Sequence, residues 1–274
     1  MMATRADDGE SVALKVVPGS QDLEIAKRLG NHPGFCPIFG SFSVDESVVI
    51  EMPFRESGDL LNYFSRVGNL SVAKRVDFIG QIAAALAHAH SCGVALMDIS
   101  IENILMASET KVEICDFGQA VIFTDPVMEI STLKGKKTRP FEFYTREKVN
   151  VTKIDIFGFG VISALLFTDP QNHANLIEEI SMFDRFSASI NHVLTAPRKV
   201  KKLILAMLEF CPENRPAAAE VVEALLHVHA DRNVHAELSH AIEKIAEEAL
   251  SRIGVDSPRT IFRNFTETVK KLGI

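Results

Sequence analysis

From Ser71 to His90 apolar residues recur at helical spacing: Val72, Val76, Ile79, Ala83, Leu86 and His90 fall on one face, behind a Ser cap and ahead of Ser91-Cys92-Gly93. The spacing predicts a long helix with a sharp stop. The pattern then switches. Leu96 to Asn103 reads as a loop feeding the strand Ile104-Leu105-Met106, Ala107 to Lys111 as a turn, and Val112-Glu113-Ile114-Cys115 as the returning strand. Nearer the start, Ser11 to Val17 is a β-branched run carrying one Lys, and Val48 to Met52 reads as a buried strand. Between them Pro18-Gly19 makes a turn, Ser20 can cap, and a short helix runs from Gln21 to about Leu29, before Gly30-Asn31-His32-Pro33. Ser57-Gly58-Asp59 caps another short helix. Past Ala230, Leu238, Ala241, Ile242, Ile245, Ala249 and Ile253 form one stripe that Gly254 stops, and Ser257-Pro258 opens a second helix bearing Ile261, Phe262, Phe265, Val269 and Leu272. Such stripes are expected to pack as core on the domain, with a docking helix pair as the alternative.

The 274 residues are 47% hydrophobic, enough for one large domain or two lobes around a shared cleft. A net charge of -7 with no long basic run argues against nucleic acid as the main partner. No apolar run approaches membrane-spanning length and the start has no secretory hydrophobic core, so a soluble, cytoplasmic chain without a membrane partner is expected. Cys36, Cys92, Cys115 and Cys211 lack paired spacing, which fits reduced thiols rather than a disulfide framework or zinc site. The nine His show no ligand pattern, and His88 and His90 read as ordinary helix residues.

Chemistry enters with an Asp-x-x-x-x-Asn element, Asp98 to Asn103, set one hairpin ahead of Asp116-Phe117-Gly118. Two acids and an amide in that order suit phosphoryl transfer from a nucleotide. An Asp-Phe-Gly by itself recurs by chance and is more often a turn, so its surroundings decide. The stretch resembles the catalytic and metal-binding loops of eukaryotic protein kinases, fed by the helix that precedes them. Downstream, Lys153 to Ile162 resembles the start of that family's buried central helix, whose Asp, here Asp155, anchors the catalytic-loop backbone. Cys211-Pro212-Glu213-Asn214-Arg215-Pro216 is similar to the late motif whose Arg pairs with a Glu closing the activation segment.

The resemblance implies an α+β, bilobal fold: a reduced sheet lobe at 1–54, a mainly helical lobe at 55–230, and a helical extension at 231–274. It implies ATP and Mg2+ as cofactors and a protein as substrate or regulated partner. On it, Asp98 accepts the proton of the attacking hydroxyl, Asn103 and Asp116 hold magnesium, and Lys15 grips the nucleotide phosphates. Ala13 covers the adenine ring, Ile50 guards the back of its pocket, and the hinge backbone at Glu51 and Met52, with Leu105, completes the nucleotide contacts. Asp59 resembles the acid that meets ribose or a peptide substrate, and Cys115 is expected to be a buried, inert thiol at the pocket floor.

Departures are as informative. Asp8-Gly9-Glu10 resembles a hairpin turn, so Ala3-Thr4-Arg5 falls in the family's second strand and no glycine-rich phosphate loop stands in the sequence: either the loop is lost, which implies weak nucleotide affinity and slow chemistry, or the start is internal to a longer product. The strand through Lys15 is then expected to have an open edge and an exposed apolar face around Val12 and Leu14, covered by a partner, a second copy or the extension. Glu24 is the obvious partner for Lys15, but ungapped alignment puts Asp22 there, and Asp22 has Ile25 and Ala26 one turn on, where Glu24 has Lys27 and Arg28. Leu96 and Met97 replace the His and Arg before the catalytic Asp, so activation through a phosphorylated loop is not expected. Ser100 stands where Ser/Thr kinases carry a Lys. Gly135 to Glu142 only loosely resembles the substrate-binding segment, although Glu142 can still meet Arg215. Two readings follow: a protein kinase for Ser or Thr hydroxyls, or a pseudokinase acting as a nucleotide-binding or scaffold module. A small-molecule phosphotransferase is disfavoured by Asp116-Phe117-Gly118, Asp155 and Arg215.

Overall fold

In a computed structural model the chain is described over residues 2–5, 9–68, 70–129, 139–181 and 194–230. The two helices expected beyond Ala230, and Asp8 and residues 135–138 of the loosely matching segments, lie outside the described residues. Four strands open the fold: β1 (Met2–Thr4), β2 (Ser11–Val17), β3 (Gly40–Val44) and β4 (Ser47–Pro53), in the antiparallel order β1-β2-β4-β3. Helix α1 (Gln21–Leu29) lies between β2 and β3 in sequence. Its span is the one the sequence predicts, because the Pro18-Gly19 turn precedes it and Gly30, at φ +65°, ends it with an amide bonded to Ala26 O. Ser20 precedes the helix, but its side chain makes no capping bond, contrary to expectation: with φ −101° and ψ 7° its backbone is not in the extended conformation that turns a cap hydroxyl back onto the first turn.

The lower region is helical. Asp59 caps α2 (Leu60–Val67) by accepting from Asn62 N at 2.8 Å, and Ser71 caps α3 (Val72–Ser91) by accepting from Lys74 N at 3.2 Å. Strand β5 (Val94–Ala95) pairs with β8 (Val121–Ile122), β6 (Ile104–Met106) with β7 (Val112–Ile114), and β9 (Val127–Glu129) with β10 (Lys148–Asn150). Strand β7 stops one residue before the expected Cys115, whose amide is drawn instead to Asn103 O at 2.9 Å. Then follow α4 (Glu142–Thr145), α5 (Val151–Leu166), α6 (His173–Ser181), α7 (Arg198–Met207) and α8 (Ala218–Ala230). Helix α5 is buried on all sides, which its near-unbroken apolar run dictates. One apolar cluster runs from Ile25 and Leu29 of α1 through α3 and α5 to Leu225 of α8.

The open edge expected at β2 is closed over Ser11 to Ala13, whereas Leu14 is half-buried and the extension proposed as a cover lies outside the described residues. Strand β1 pairs with β2 from Ser11 to Ala13, Val12 is only 4% exposed, and Arg5 fastens β1 by bonding Glu51 at 2.7 and 2.9 Å and lying over the Phe39 ring. Exposed apolar residues on that sheet are Met2, Val16, Phe42 and Val44.

Candidate active site

Lys15 stands mid-strand, and α1 presents Asp22 to it. Lys15 Nζ donates to Asp22 Oδ1 at 2.6 Å and to Asp116 Oδ1 at 2.8 Å. Asp22, not Glu24, is therefore the helix partner: Asp22 is 5% exposed and Glu24 points to solvent. Asp22 Oδ1 also accepts from Phe117 N at 3.3 Å, so one short carboxylate ties α1 to both the lysine strand and the loop after β7. Burial, the largest single influence, pulls the Lys15 ammonium down, but hydrogen bonds and charge from Asp116 and Asp22 outweigh it and its pKa is raised. Asp116 adopts φ +64°, a left-handed conformation costly for a non-glycine residue, held by Gly118 N donating to its Oδ1 at 3.1 Å. Phe117 is buried edge-on against Phe35, ring centroids 5.9 Å apart.

The loop through Asp98 is shaped from below. Asp155 of α5, 1% exposed, accepts from Leu96 N at 2.8 Å and Met97 N at 2.7 Å, and Met97 sits at φ +60° as a result. His90 Nε2 lies 2.9 Å from Asp155 Oδ2, while His88 stacks on His32 at 4.2 Å with Nε2 2.7 Å from Leu29 O. Neither is the ordinary helix residue the sequence predicts; each is fixed by a partner more than 50 positions away, which periodicity does not register. Asn103 Nδ2 donates to Asp98 O at 2.9 Å and to Asp98 Oδ2 at 3.3 Å. With Cys115 N bonded to Asn103 O, the Asp98–Asn103 pair and Asp116 are locked together.

Alternation along the paired strands puts Ala13, Lys15, Ile50 and Met52 on one sheet face, since Ala13 opposes Met52 and Lys15 opposes Ile50. Leu105 is half-buried opposite Glu113 and bridged to Asp59. Glu51 is corrected. Its carboxylate is held by Arg5 and its carbonyl accepts from Phe39 N at 2.8 Å, because β4 continues to Pro53 instead of ending at Met52. The connector between the regions therefore begins at Phe54, and Arg55 pins it by a 2.5 Å bond to buried Glu113, a contact no local pattern signals. Asp59 spends its carboxylate on capping α2.

The donor set fits magnesium: Asp116 offers a carboxylate whose side chain is 43% exposed, and Asn103 keeps its amide oxygen beyond the two bonds its nitrogen makes. No group of three or more His, Cys, Asp or Glu among the described residues could hold a metal, so phosphate oxygens and water have to complete the shell. Farther out, Arg215 and Glu142 form a buried pair with bonds of 2.5 and 3.1 Å, under the Phe157 ring. No helix among the described residues is long and apolar enough to cross a membrane.

The protein kinase domain model matches residues 1–227. A probable serine/threonine-protein kinase MARK-A of Dictyostelium discoideum is 25% identical over 226 residues, covering 78% of this chain and 21% of that protein. NUAK family SNF1-like kinase 1 of Mus musculus is 27% identical over 214 residues, covering 76% and 31%. Discoidin domain-containing receptor tyrosine kinase B of Caenorhabditis elegans is 24% identical over 220 residues, covering 74% and 27%. The chain thus spans under a third of the length of these relatives. A match running from the first sheet into the last described helix takes in both regions of the fold, and on it the chain belongs to the protein kinase domain family.

Proposed function

We propose that the chain transfers the γ-phosphate of ATP to Ser or Thr hydroxyls of a protein, with 1–54 and 55–230 as its two lobes. The observation that carries this is the locked juxtaposition of Lys15, Asp116, Asn103 and Asp98. Magnesium, when bound by Asn103 and Asp116, neutralises phosphate charge as it moves toward the leaving oxygen. The acceptor oxygen bonds to the γ-phosphorus while the bond to the bridging oxygen breaks, ADP leaves with that electron pair, and the hydroxyl proton passes to Asp98. Lys15 is positioned for the α- and β-phosphates by Asp22, and Ile50 and Met52 offer an apolar face to the base. ATP being an intracellular substrate, the reading carries an intracellular setting. The Ser/Thr preference rests on the name of the Dictyostelium relative; a tyrosine kinase among the relatives makes acceptor choice part of the test. Incubation with labelled ATP, magnesium and Ser-, Thr- and Tyr-containing peptide pools is expected to label Ser and Thr, and Asp98→Ala to lower the rate roughly 10²- to 10⁴-fold. Equal labelling by wild type and variant ends the proposal.

The second reading, a pseudokinase, is favoured by one observation: Lys15 is committed to two carboxylates, and neutral Ser100 and Met97 flank Asp98. Stabilisation by ATP and magnesium without label transfer is its signature.

A further inference from the structure

Arg139 lies just before α4 and is 4% exposed, yet among the described residues its Nε and Nη1 have no hydrogen-bond partner. Its guanidinium carbon sits 4.5 Å from the centroid of the Phe143 ring, which stabilises the charge from one side only. A buried cation with idle donors is costly, and such groups ordinarily find an anion or water. Arg139 lines a small pocket with Met97, Asp98, Ile154, Asp155 and Gly158. Asp155 is not what the guanidinium serves, because its carboxylate is taken by Leu96 N, Met97 N and His90. Burial lowers the Arg139 pKa, while Asp98, the acid that the kinase reading puts at the transfer, and after it Asp155 oppose the fall.

We infer that Arg139 supplies the positive charge at the transfer centre, donating to a non-bridging oxygen of the γ-phosphoryl group where neutral Ser100 cannot. This rests on the kinase reading given above. The requirement at this point is electrostatic: negative charge accumulates beside a carboxylate, and a cation fixed in a dry site answers it wherever in the chain it originates.

Calorimetric titration with Mg·ADP and with the non-hydrolysable triphosphate Mg·AMP-PNP separates this role from folding and from turnover. Wild-type chain is expected to prefer the triphosphate by about ten- to a hundredfold, the range of a charge-assisted contact. Arg139→Met is expected to erase that preference while leaving ADP affinity unchanged, and Arg139→Met with Ser100→Lys to restore it. Should Arg139→Met not give a folded melt, Arg139→Gln, which removes the charge and keeps an amide donor, carries the same expectation. A preference that survives loss of the charge, or an equal loss of affinity for both nucleotides, overturns the inference and leaves the kinase reading standing. Wild-type chain that binds neither nucleotide overturns both.

Discussion

Asp22 is one methylene shorter than the glutamate the family places there, yet it reaches Lys15 and Phe117 N together. It does so because the helix lies close: a Cβ added to Gly118 would stand 3.6 Å from Asp22 Oδ2. Asp22→Glu is therefore expected to overpack the site and cost about 1–3 kcal/mol in urea unfolding, although it restores the family residue. An unchanged midpoint would show that the pocket has slack. The thiols make a second case. Burial, the largest influence on each, pushes Cys36 up to about 11 and Cys115 up to about 12. At pH 8 about one Cys36 in a thousand is thiolate, so native protein is expected to keep both from iodoacetamide while urea-unfolded protein loses them at once. Peptide mapping that finds Cys115, which is half-buried, alkylated in native protein would contradict its raised pKa.

Arg215 is the element-scale counterpart, joining the turn after α7 to α4 through Glu142 and to α5 through Lys153 O at 3.0 Å. Arg215→Ala leaves Glu142, 4% exposed, without its cation and is expected to cost about 3–5 kcal/mol, measured by denaturant titration. The elements themselves are largely legible, since α1 and α3 carry periodic apolar runs bounded by Pro, Gly or a cap, and β6 and α5 carry unbroken apolar ones. Asp98, Asn103 and Asp116 were legible as spacing along the chain. What spacing does not encode is a contact that exists only once elements pack: Lys15 with Asp116, His90 with Asp155, Arg55 with Glu113. The Arg139 pocket escaped notice for the same reason, its residues coming from three separate stretches. The extent of β4 was misjudged because Pro53 reads locally as a strand breaker, whereas pairing with Val12 carries the ladder through it.

Across the whole molecule, the sheet region and the helical region are joined by polar contacts around the cleft. Gln21 Nε2 donates to Ala120 O at 2.7 Å, Arg28 Nε to Cys92 O at 2.7 Å, and Lys15 to Asp116. Lys15 has a raised pKa, so its stabilising contribution is fully present below the unfolded value of 10.5 and is lost as pH rises through the higher folded value. The stability difference between wild type and Lys15→Met is thus expected to be flat from about pH 7 to 10 and to collapse only above about 10.5; a decline near neutrality would place the linkage elsewhere. Asp155 has a further consequence, one of timing. The amide of Met97 waits for a carboxylate 58 positions later in the chain. At synthesis rates of about 5–20 residues per second, roughly 3 to 12 seconds separate the making of the loop from the making of the group that shapes it. A nascent chain therefore carries Asp98 before it has the group that holds the backbone beside it in place.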